Sequence, residues 1–159
     1  MLNYCTNVHY CVEVDDLDKN ILGELLKNSK RSFRQLADEL EIAPGTVLKR
    51  IKDMEVNGII KGYSVLVDHA KIGPQIVALI EIISSGGKLE EIGKKLSKLP
   101  NVYGVYETTG SPDAIIIGRF RDTDELGKFA RFLLGLPSVS RTNTHVVLNT
   151  VKEDFRVLI

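Results

Sequence analysis

The chain carries no net charge and no long apolar run, and each absence excludes a class of protein. Its 21 lysines and arginines balance its 21 aspartates and glutamates, which is not what a simple protein that binds nucleic acid as one copy usually shows. No apolar run approaches the ~20 residues of a membrane-spanning helix. We therefore expect a soluble cytoplasmic protein with no membrane partner.

Cysteine is scarce, and both cysteines, Cys5 and Cys11, lie in an N-terminal extension of residues 1–14. Their spacing matches no common metal pattern and no second Cys/His pair completes a site, so we predict free thiols and no metal. The extension has no basic start followed by an apolar block, so it is not a secretory signal. Alternating residues make a strand possible there: Val8, Tyr10, Val12 and Val14.

The stretch from Ala43 to Gly58 predicts a short amphipathic helix. One face is apolar, with Val47, Ile51 and Met54, and Leu48 alongside them. The other face carries Thr46, Lys49, Arg50 and Asp53. Gly58 can adopt the left-handed conformation that closes a helix. Such a helix fits a DNA major groove, although this stretch alone equally suits a solvated surface helix.

Two capped helices precede that stretch. Asp15, with Asp18 three residues on, favours a helix start, and an apolar stripe then runs to near Asn28. Ser32 and Gln35 have the spacing of a capping box and predict a second helix. Three short helices, the last two joined by a tight break before Pro44, predict a helix-turn-helix.

A β-rich run from Ile59 to Val67 follows and predicts a strand or small wing that closes this domain. Lys61 on the wing is well placed for a phosphate. The segment from Asp68 to Pro74 is predicted to be a hinge between domains.

The second half contains an internal repeat, because Leu96–Val102 recurs 37 positions later as Leu133–Val139. Each copy ends a helix with Leu-Pro and opens a strand at Val. The first helix carries Leu89, Ile92, Leu96 and Leu99, and the second opens at Asp122 and Glu125. We predict strands at Ile76–Ile83, Val102–Thr109, Ala114–Phe120 and Thr144–Val151. The order βαββαβ indicates an α+β chain whose second domain is ferredoxin-like.

In this order and spacing, the motifs resemble the Lrp/AsnC (leucine-responsive, feast/famine) family of transcription regulators over nearly the whole chain. The matching residues are Asp15-x-Leu17-Asp18-x-x-Ile21-Leu22, Arg31-Ser32-x-x-x-Leu36-Ala37, Val47-x-x-Arg50-Ile51-x-x-Met54-Glu55-x-x-Gly58, Thr109-Gly110-x-x-Asp113 and Thr142-x-Thr144-x-Val146-Val147.

The resemblance implies a winged helix-turn-helix over residues 15–62, a strand and hinge linker over 63–74, and an effector-binding and oligomerisation domain over 75–159. It implies double-stranded DNA and a small effector, an amino acid, as partners. It also implies no cofactor and a homodimer that assembles into a tetramer or octamer. Several copies would compensate for the neutral charge, since one copy binds phosphate weakly.

For DNA, we expect Thr46, Lys49 and Arg50 to enter the major groove. Ser32, Arg34 and Lys61 are expected to contact phosphates. Arg50 suits an intradomain ion pair with Glu55 or Asp53 equally well, because arginine serves both roles.

For the effector, we expect the loop formed by Thr109, Gly110, Ser111, Pro112 and Asp113, with Thr108, Thr142 and Thr144 as neighbours. Glycine lets backbone amides approach a carboxylate, and Asp113 can pair with an ammonium group. The family places this loop at subunit interfaces. The alternative is a plain hairpin, for which Gly-Ser-Pro-Asp is also a good turn sequence.

The chain departs from the family pattern at two positions. Ala43 stands where the family usually has a capping serine, which removes a contact of ~1 kcal/mol. Pro112 stiffens a loop in which aromatic or acidic residues are common, and this is expected to change the accepted ligand.

Two enzymatic functions are alternatives to a regulator for this chain. Related tetrapyrrole (sirohaem-type) decarboxylases keep the fold, and His145 and Arg141 would then act around a porphyrin. An acylphosphatase-like activity needs an arginine in the loop after the first strand, where the chain offers only Lys88. The basic helix between Pro44 and Gly58 favours a regulator over the decarboxylase, and the missing arginine disfavours the acylphosphatase.

Overall fold

The computed structural model describes residues 13–73, 75–85 and 89–156. They form two compact units, one of residues up to Leu66 together with 153–156, and the other Val67–Lys152. The thiols predicted at Cys5 and Cys11 lie outside the described residues. So does the possible N-terminal strand, apart from its last residue, Val14, which is in no strand. No helix in the described ranges is long and apolar enough to cross a membrane.

The first unit contains three helices, α1 (Asp16–Lys27), α2 (Phe33–Glu39) and α3 (Pro44–Val56). Both predicted caps are confirmed, because Asp15 with Asp18 and Ser32 with Gln35 form complete capping boxes. Each box satisfies backbone N–H groups that a helix start otherwise leaves without a partner. At α3, Ala43 provides no side-chain cap.

The apolar face predicted for α3 lies in the hydrophobic core of this unit. Val47, Ile51 and Met54 are at most 2% exposed. They pack against buried residues of the other two helices: Ile21, Leu22, Leu36 and Ala37. The helix-turn-helix is therefore held by one apolar cluster, and the charged face of α3 points away from it.

Two residues with positive φ terminate helices in this unit. Gly58 (φ 71°) follows α3, and its N–H and that of Ile59 donate to the carbonyls of Glu55 and Met54, which completes a Schellman motif. Glu41 (φ 54°) occupies the equivalent position after α2. A side chain with a Cβ is strained in this region, and glycine is not.

The strand predicted over Ile59–Val67 is wrong. Residues 61–68 form no regular structure, and a short helix, α4 (His69–Ile72), follows within the predicted hinge. The β-branched residues favour an extended backbone, but a strand needs a partner for its hydrogen bonds, and the described chain supplies none. Val65 and Leu66 are consequently 78% and 64% exposed.

After α4, the second unit consists of a four-stranded antiparallel sheet with two longer helices. Its elements are β1 (Ile76–Ser84), α5 (Leu89–Leu96), β2 (Val102–Glu107), β3 (Ala114–Phe120), α6 (Thr123–Leu134) and β4 (Val139–Val146). The strand order β2-β3-β1-β4 is that of the predicted ferredoxin-like βαββαβ domain. The repeated residues Leu96 and Leu133 are both fully buried.

The last strand lies earlier than predicted. We placed it at Thr144–Val151, whereas β4 begins at Val139 and ends at Val146. Its register explains the difference, because the pairing with β1 runs from Ser84, opposite Val139, to Ala78, opposite Val146, and β1 itself begins only two residues further on, at Ile76. Val151 lies past the end of that ladder and is 92% exposed.

Both helices cover the same face of the sheet. Side chains of alternating strand residues (Ala78, Ile80, Ile82, Ala114, Ile116 and Phe120) form one core with residues of α5 and α6. We call the face of the sheet that α5 and α6 cover the inner face. The intervening residues of β1 and β3 (Val77, Leu79, Glu81, Ile83, Ile115, Ile117 and Arg119) lie on the outer face, since successive strand residues point to opposite sides.

We predict that Glu41→Gly raises the free energy of unfolding by roughly 0.5–1 kcal/mol. Removing the left-handed strain of Glu41 stabilises the folded chain, and the extra entropy that glycine gives the unfolded chain offsets part of this gain. Gly58→Ala is expected to lower it by about 1 kcal/mol, although a Cβ there meets nothing within 4 Å. Urea-induced unfolding of the full chain measures both changes.

Gly45→Ala is the matched control for this prediction. A Cβ at Gly45 also meets nothing within 4 Å, but the position lies inside α3 and has no positive φ. This variant is therefore expected to be more stable than the parent chain. A loss of stability in Glu41→Gly would contradict the strain argument.

Candidate DNA-binding surface and effector loop

The exposed face of α3 presents the predicted DNA-contacting residues. Thr46 and Lys49 are exposed, as is Lys52, one turn beyond Lys49. Lys52 was not among the predicted contacts, although its helical spacing from Lys49 was available in the sequence. The three side chains lie on the face opposite the buried apolar face of α3, where they can reach a DNA groove.

Ser32, Arg34 and Lys61 are also exposed. The hydroxyl oxygen of Ser32 accepts from the N–H of Gln35 at 3.2 Å. Because a hydroxyl is both donor and acceptor, its proton remains available for a phosphate oxygen.

Ion pairing divides the cations of this unit into two groups. Four cations in residues 16–62 pair with carboxylates of the same unit: Lys19, Lys27, Arg31 and Arg50. The others form no ion pair within the described residues: Lys30, Arg34, Lys49, Lys52 and Lys61. They lie on α2, on α3 and in the segments after α1 and α3. The unpaired positive charge is therefore concentrated on the candidate DNA surface.

Arg50 is engaged inside the unit. Its Nη1 donates to Asp15 Oδ2 at 2.6 Å and lies 3.3 Å from both carboxylate oxygens of Asp18. The predicted ion-pair partners, Glu55 and Asp53, are wrong. Both aspartates belong to the start of α1, so the guanidinium joins the middle of the recognition helix to the capping box of α1.

This contact gives Asp15 a pH-dependent role in stability. The N–H of Asp18, donating to its carboxylate, lowers the pKa of Asp15 below the ordinary 3.8, and the guanidinium of Arg50 lowers it further. Because the folded-state pKa lies below the unfolded value, the stabilisation is present above the unfolded value. It is lost as pH falls through the folded-state pKa.

The linker starts from a fixed point on α3. The hydroxyl of Tyr63 donates to Glu55 Oε1 at 2.8 Å, in the last turn of the helix. Burial, together with this carboxylate, raises the pKa of Tyr63 to about 12. The tyrosine therefore stays protonated at physiological pH and remains a donor.

The predicted effector loop joins β2 to β3 and is tied to the end of β1. The Thr108 N–H donates to the Asp113 carbonyl at 2.9 Å, and its hydroxyl donates to the Pro112 carbonyl. Asp113 Oδ2 accepts from the Ser84 N–H at 2.7 Å. Gly110 has φ 90°, and the Ser111–Pro112 peptide bond is cis. The loop is thus a closed hairpin whose aspartate also holds a neighbouring strand.

The two predicted threonines of β4 lie on the other side of β1. Thr142 and Thr144 are opposite Ile82 and Ile80, on the inner face. Ile82 also accepts from the Asp113 N–H at 3.0 Å. The structure therefore brings Thr142 and Asp113 to the same end of the sheet, separated by one strand, and Thr144 lies further along β4.

His145 and Arg141, considered above for a porphyrin enzyme, lie on the outer face. His145 Nε2 is 3.2 Å from Glu81 Oε1, and Asn143 Nδ2 is 3.2 Å from Glu81 Oε2. The described residues contain no group of three or more His, Cys, Asp or Glu side chains arranged to hold a metal ion.

Family models match both units. Residues 14–61 match the winged helix-turn-helix DNA-binding model, and residues 77–157 match the Lrp/AsnC ligand binding domain. The chain is 40% identical over 144 residues to an uncharacterized HTH-type transcriptional regulator of Pyrococcus abyssi, covering 91% of this chain and 98% of that protein. It is 32% identical over 142 residues to the HTH-type transcriptional regulator FL11 of Pyrococcus horikoshii, covering 89% and 94%.

Solved structures have the same fold. Escherichia coli AsnC is 26% identical, with a TM-score of 0.77 over 89% of this chain and 96% of AsnC. The transcriptional regulator NMB0573 of Neisseria meningitidis, solved as a complex with L-Met, is 24% identical. Its TM-score is 0.80 over 91% of this chain and 96% of that one.

Together, the fold and these matches define a transcriptional regulator with a helix-turn-helix DNA-binding domain and a ligand-binding domain. The chain belongs to the Lrp/AsnC family. Its relatives are named as transcriptional regulators, so the chain is a regulator rather than either of the enzymes considered from the sequence.

We predict that Arg50→Ala lowers the unfolding midpoint and weakens DNA binding while the dependence of affinity on salt stays unchanged. The guanidinium would orient α3 without releasing counterions from DNA. Urea unfolding and a salt titration of DNA binding measure the two effects. Lys49→Ala is the control with the opposite pattern, a lower salt slope and unchanged stability. An equal loss of slope in both variants would make Arg50 a phosphate contact.

Proposed function

We propose that this chain is a sequence-specific regulator whose DNA binding or assembly changes when an amino-acid effector binds at subunit interfaces of the C-terminal domain. The observation that carries the DNA-binding part is the ion-pair pattern of the first unit. Lys19, Lys27 and Arg31, on α1 and just after it, are paired with carboxylates, whereas Arg34, Lys49 and Lys52 form no ion pair within the described residues. An overall neutral chain thereby presents a basic surface.

On this surface we assign Thr46, Lys49 and Lys52 to the major groove. Ser32, Arg34 and Lys61 are assigned to phosphates. Arg50 is assigned to the orientation of α3, because two carboxylates already occupy its guanidinium. Phosphate contacts supply most of the affinity and side chains on the groove face supply the sequence preference.

Assembly into a homodimer, and from there into a tetramer or octamer, is the second part of the proposal. Few unpaired cations per copy give weak, strongly salt-dependent binding, and affinity grows when linked copies bind together. The outer face supports this part of the proposal, because Leu79 and Ile117 lie directly opposite each other there. An antiparallel sheet with one solvated face normally carries polar residues on that face.

The effector part rests on the family's ligand-binding domain and on the loop from Thr109 to Asp113. The backbone at Gly110 is open on the side where a Cβ would lie, so a ligand carboxylate can approach it. The carboxylate of Asp113 is held in place by Ser84 and offers a negative charge to an ammonium group. Thr108 and Ser111 supply hydroxyl groups in and beside the loop, Thr142 supplies one across a single strand, and Thr144, which we assign to the same site, lies further along β4.

We predict that Lys49→Ala combined with Arg34→Ala weakens operator binding and flattens its salt dependence. Both substitutions remove a positive charge from the DNA surface, and each phosphate that is no longer neutralised reduces the slope of log K against log salt by about 0.9. A fluorescence titration at several salt concentrations measures affinity and slope together.

Lys19→Ala combined with Lys27→Ala is the matched control, since it removes the same number of cations from ion pairs on α1. The control is expected to leave the slope unchanged. If the double variant on α2 and α3 kept the parent affinity and slope, this surface would not be the DNA surface.

We predict that Asp113→Asn abolishes amino-acid binding and leaves the fold intact. The amide oxygen of asparagine can still accept from the Ser84 N–H, while the charge that would pair with an ammonium group is lost. Calorimetric titration with the twenty amino acids, with thermal unfolding as a check on folding, measures the effect.

Thr109→Ser is the matched control within the loop, because it keeps the hydroxyl and the charge. The effector assignment fails if the parent chain shows neither heat nor a thermal shift with any amino acid. It also fails if Asp113→Asn binds as well as the parent.

A further inference from the structure

The chain folds back onto α3 immediately after that helix ends. The N–H of Ile59 donates to the carbonyl of Met54 at 2.9 Å, and the N–H of Ile60 donates to the same carbonyl at 3.1 Å. The side chains of Ile59 and Ile60 pack against the hydrophobic core of the first unit. Ile60 is therefore one fixed point of the segment that follows α3.

Tyr63 is a second fixed point. Its hydroxyl donates to Glu55 Oε1 at 2.8 Å, so a side chain eight positions further along the chain returns to the last turn of α3. Gly62, just before it, has φ 154°, a backbone conformation that residues with a Cβ rarely adopt. Residues 55–63 thus form a loop that is closed by the hydrogen bond between Tyr63 and Glu55.

Lys61 lies between these two fixed points. Within the part of the chain that the structure describes, Lys61 and Gly62 form no hydrogen bond and Lys61 forms no ion pair. Beyond Tyr63, the side chains of Val65 and Leu66 are mostly exposed. The position of Lys61 therefore depends on the contacts that its neighbours make at Ile60 and Tyr63.

We propose that Tyr63 is a positioning residue for DNA binding, because its hydrogen bond to Glu55 holds Lys61 beside the end of α3 before DNA binds. This inference rests on the assignment of Lys61 to a phosphate in the proposed function. A contact that is already ordered in the free protein loses less entropy on binding than a contact that the DNA must order. Tyr63 acts through Lys61 and is not itself assigned a contact with DNA.

The hydrogen bond between Tyr63 and Glu55 suits this role. The hydroxyl stays protonated at physiological pH, and a hydrogen bond to an ionised carboxylate is stronger than one between neutral groups. Tyr63 is 54% exposed and lies outside the hydrophobic core. Loss of the hydroxyl is therefore expected to leave the first unit folded.

The test is a double-mutant cycle between Tyr63→Phe and Lys61→Ala in the full chain. A fluorescence titration at several salt concentrations uses a DNA duplex that the parent chain has selected from a random pool. Tyr63→Phe removes the hydroxyl without changing the charge, so we expect roughly three- to tenfold weaker binding with an unchanged salt slope. Lys61→Ala is expected to weaken binding and to reduce the slope of log K against log salt by about 0.9.

The coupling between the two changes separates positioning from a general loss of structure. In the Lys61→Ala chain, Tyr63→Phe is expected to have no further effect, since no lysine is left to position. In the Lys49→Ala chain, the matched control, Tyr63→Phe is expected to keep its full effect, because residues without shared contacts act additively. Urea unfolding of each variant checks that the first unit stays folded.

Two variants of Glu55 test the same hydrogen bond from the side of α3. Glu55→Gln and Glu55→Ala both remove the carboxylate charge, and only glutamine keeps an oxygen that can accept from Tyr63. We expect Glu55→Gln to bind DNA roughly three- to tenfold more tightly than Glu55→Ala. This pair decides the question if Tyr63→Phe lowers the stability of the fold.

The outcomes distinguish the role of Tyr63 from the assignment of Lys61. If Lys61→Ala kept the parent affinity and slope, Lys61 would not contact a phosphate, and both would fail. If Lys61→Ala behaved as expected while Tyr63→Phe bound like the parent, or weakened binding equally in the Lys61→Ala and Lys49→Ala chains, only the positioning role would be overturned. Equal binding by the two Glu55 variants would overturn that role as well.

Discussion

The two apolar faces of β1 and β3 are the constraint on which the second unit depends. One helix pair can cover only one face of a sheet, and α5 and α6 bury the inner residues from Ala78 to Phe120 in one core. The aliphatic residues on the outer face remain without such a cover. On our proposal a second copy covers them, so the same strands that build the fold also bring two DNA-binding units into one assembly.

This arrangement would account for a neutral DNA-binding chain. Most ion pairs in the first unit neutralise cations on α1 or in the segment just after α1. The lysines on the exposed face of α3 have no such partner within the described residues. This separation of paired and unpaired cations creates a local basic surface, while the net charge of the whole chain is unchanged. On our proposal each copy offers few phosphate contacts, and useful affinity would then require several copies linked together.

Local signals made most of the fold predictable. The capping pairs at Asp15 and Ser32 and the apolar spacing along α3 act within one or two turns, so the sequence carries them directly. The errors concern partners distant in the chain. Arg50 pairs with residues 35 and 32 positions away, and no periodicity encodes that contact. The bounds of β4 depend on where β1 offers partners, and the segment after Gly58 has β propensity without a partner.

The effector loop shows why the site was harder to predict than the fold. A hairpin and a ligand loop looked like alternatives, yet one arrangement is compatible with both, since the carboxylate of Asp113 anchors the hairpin to Ser84 at the position where we propose that the effector binds. Ser84 ends the strand that carries Leu79 and Glu81 on the outer face. A ligand that engages Asp113 would therefore act on the end of β1, the strand whose outer-face residues lie on the surface where we propose that the second copy binds. Such a shared strand is a physical route by which effector binding can alter assembly.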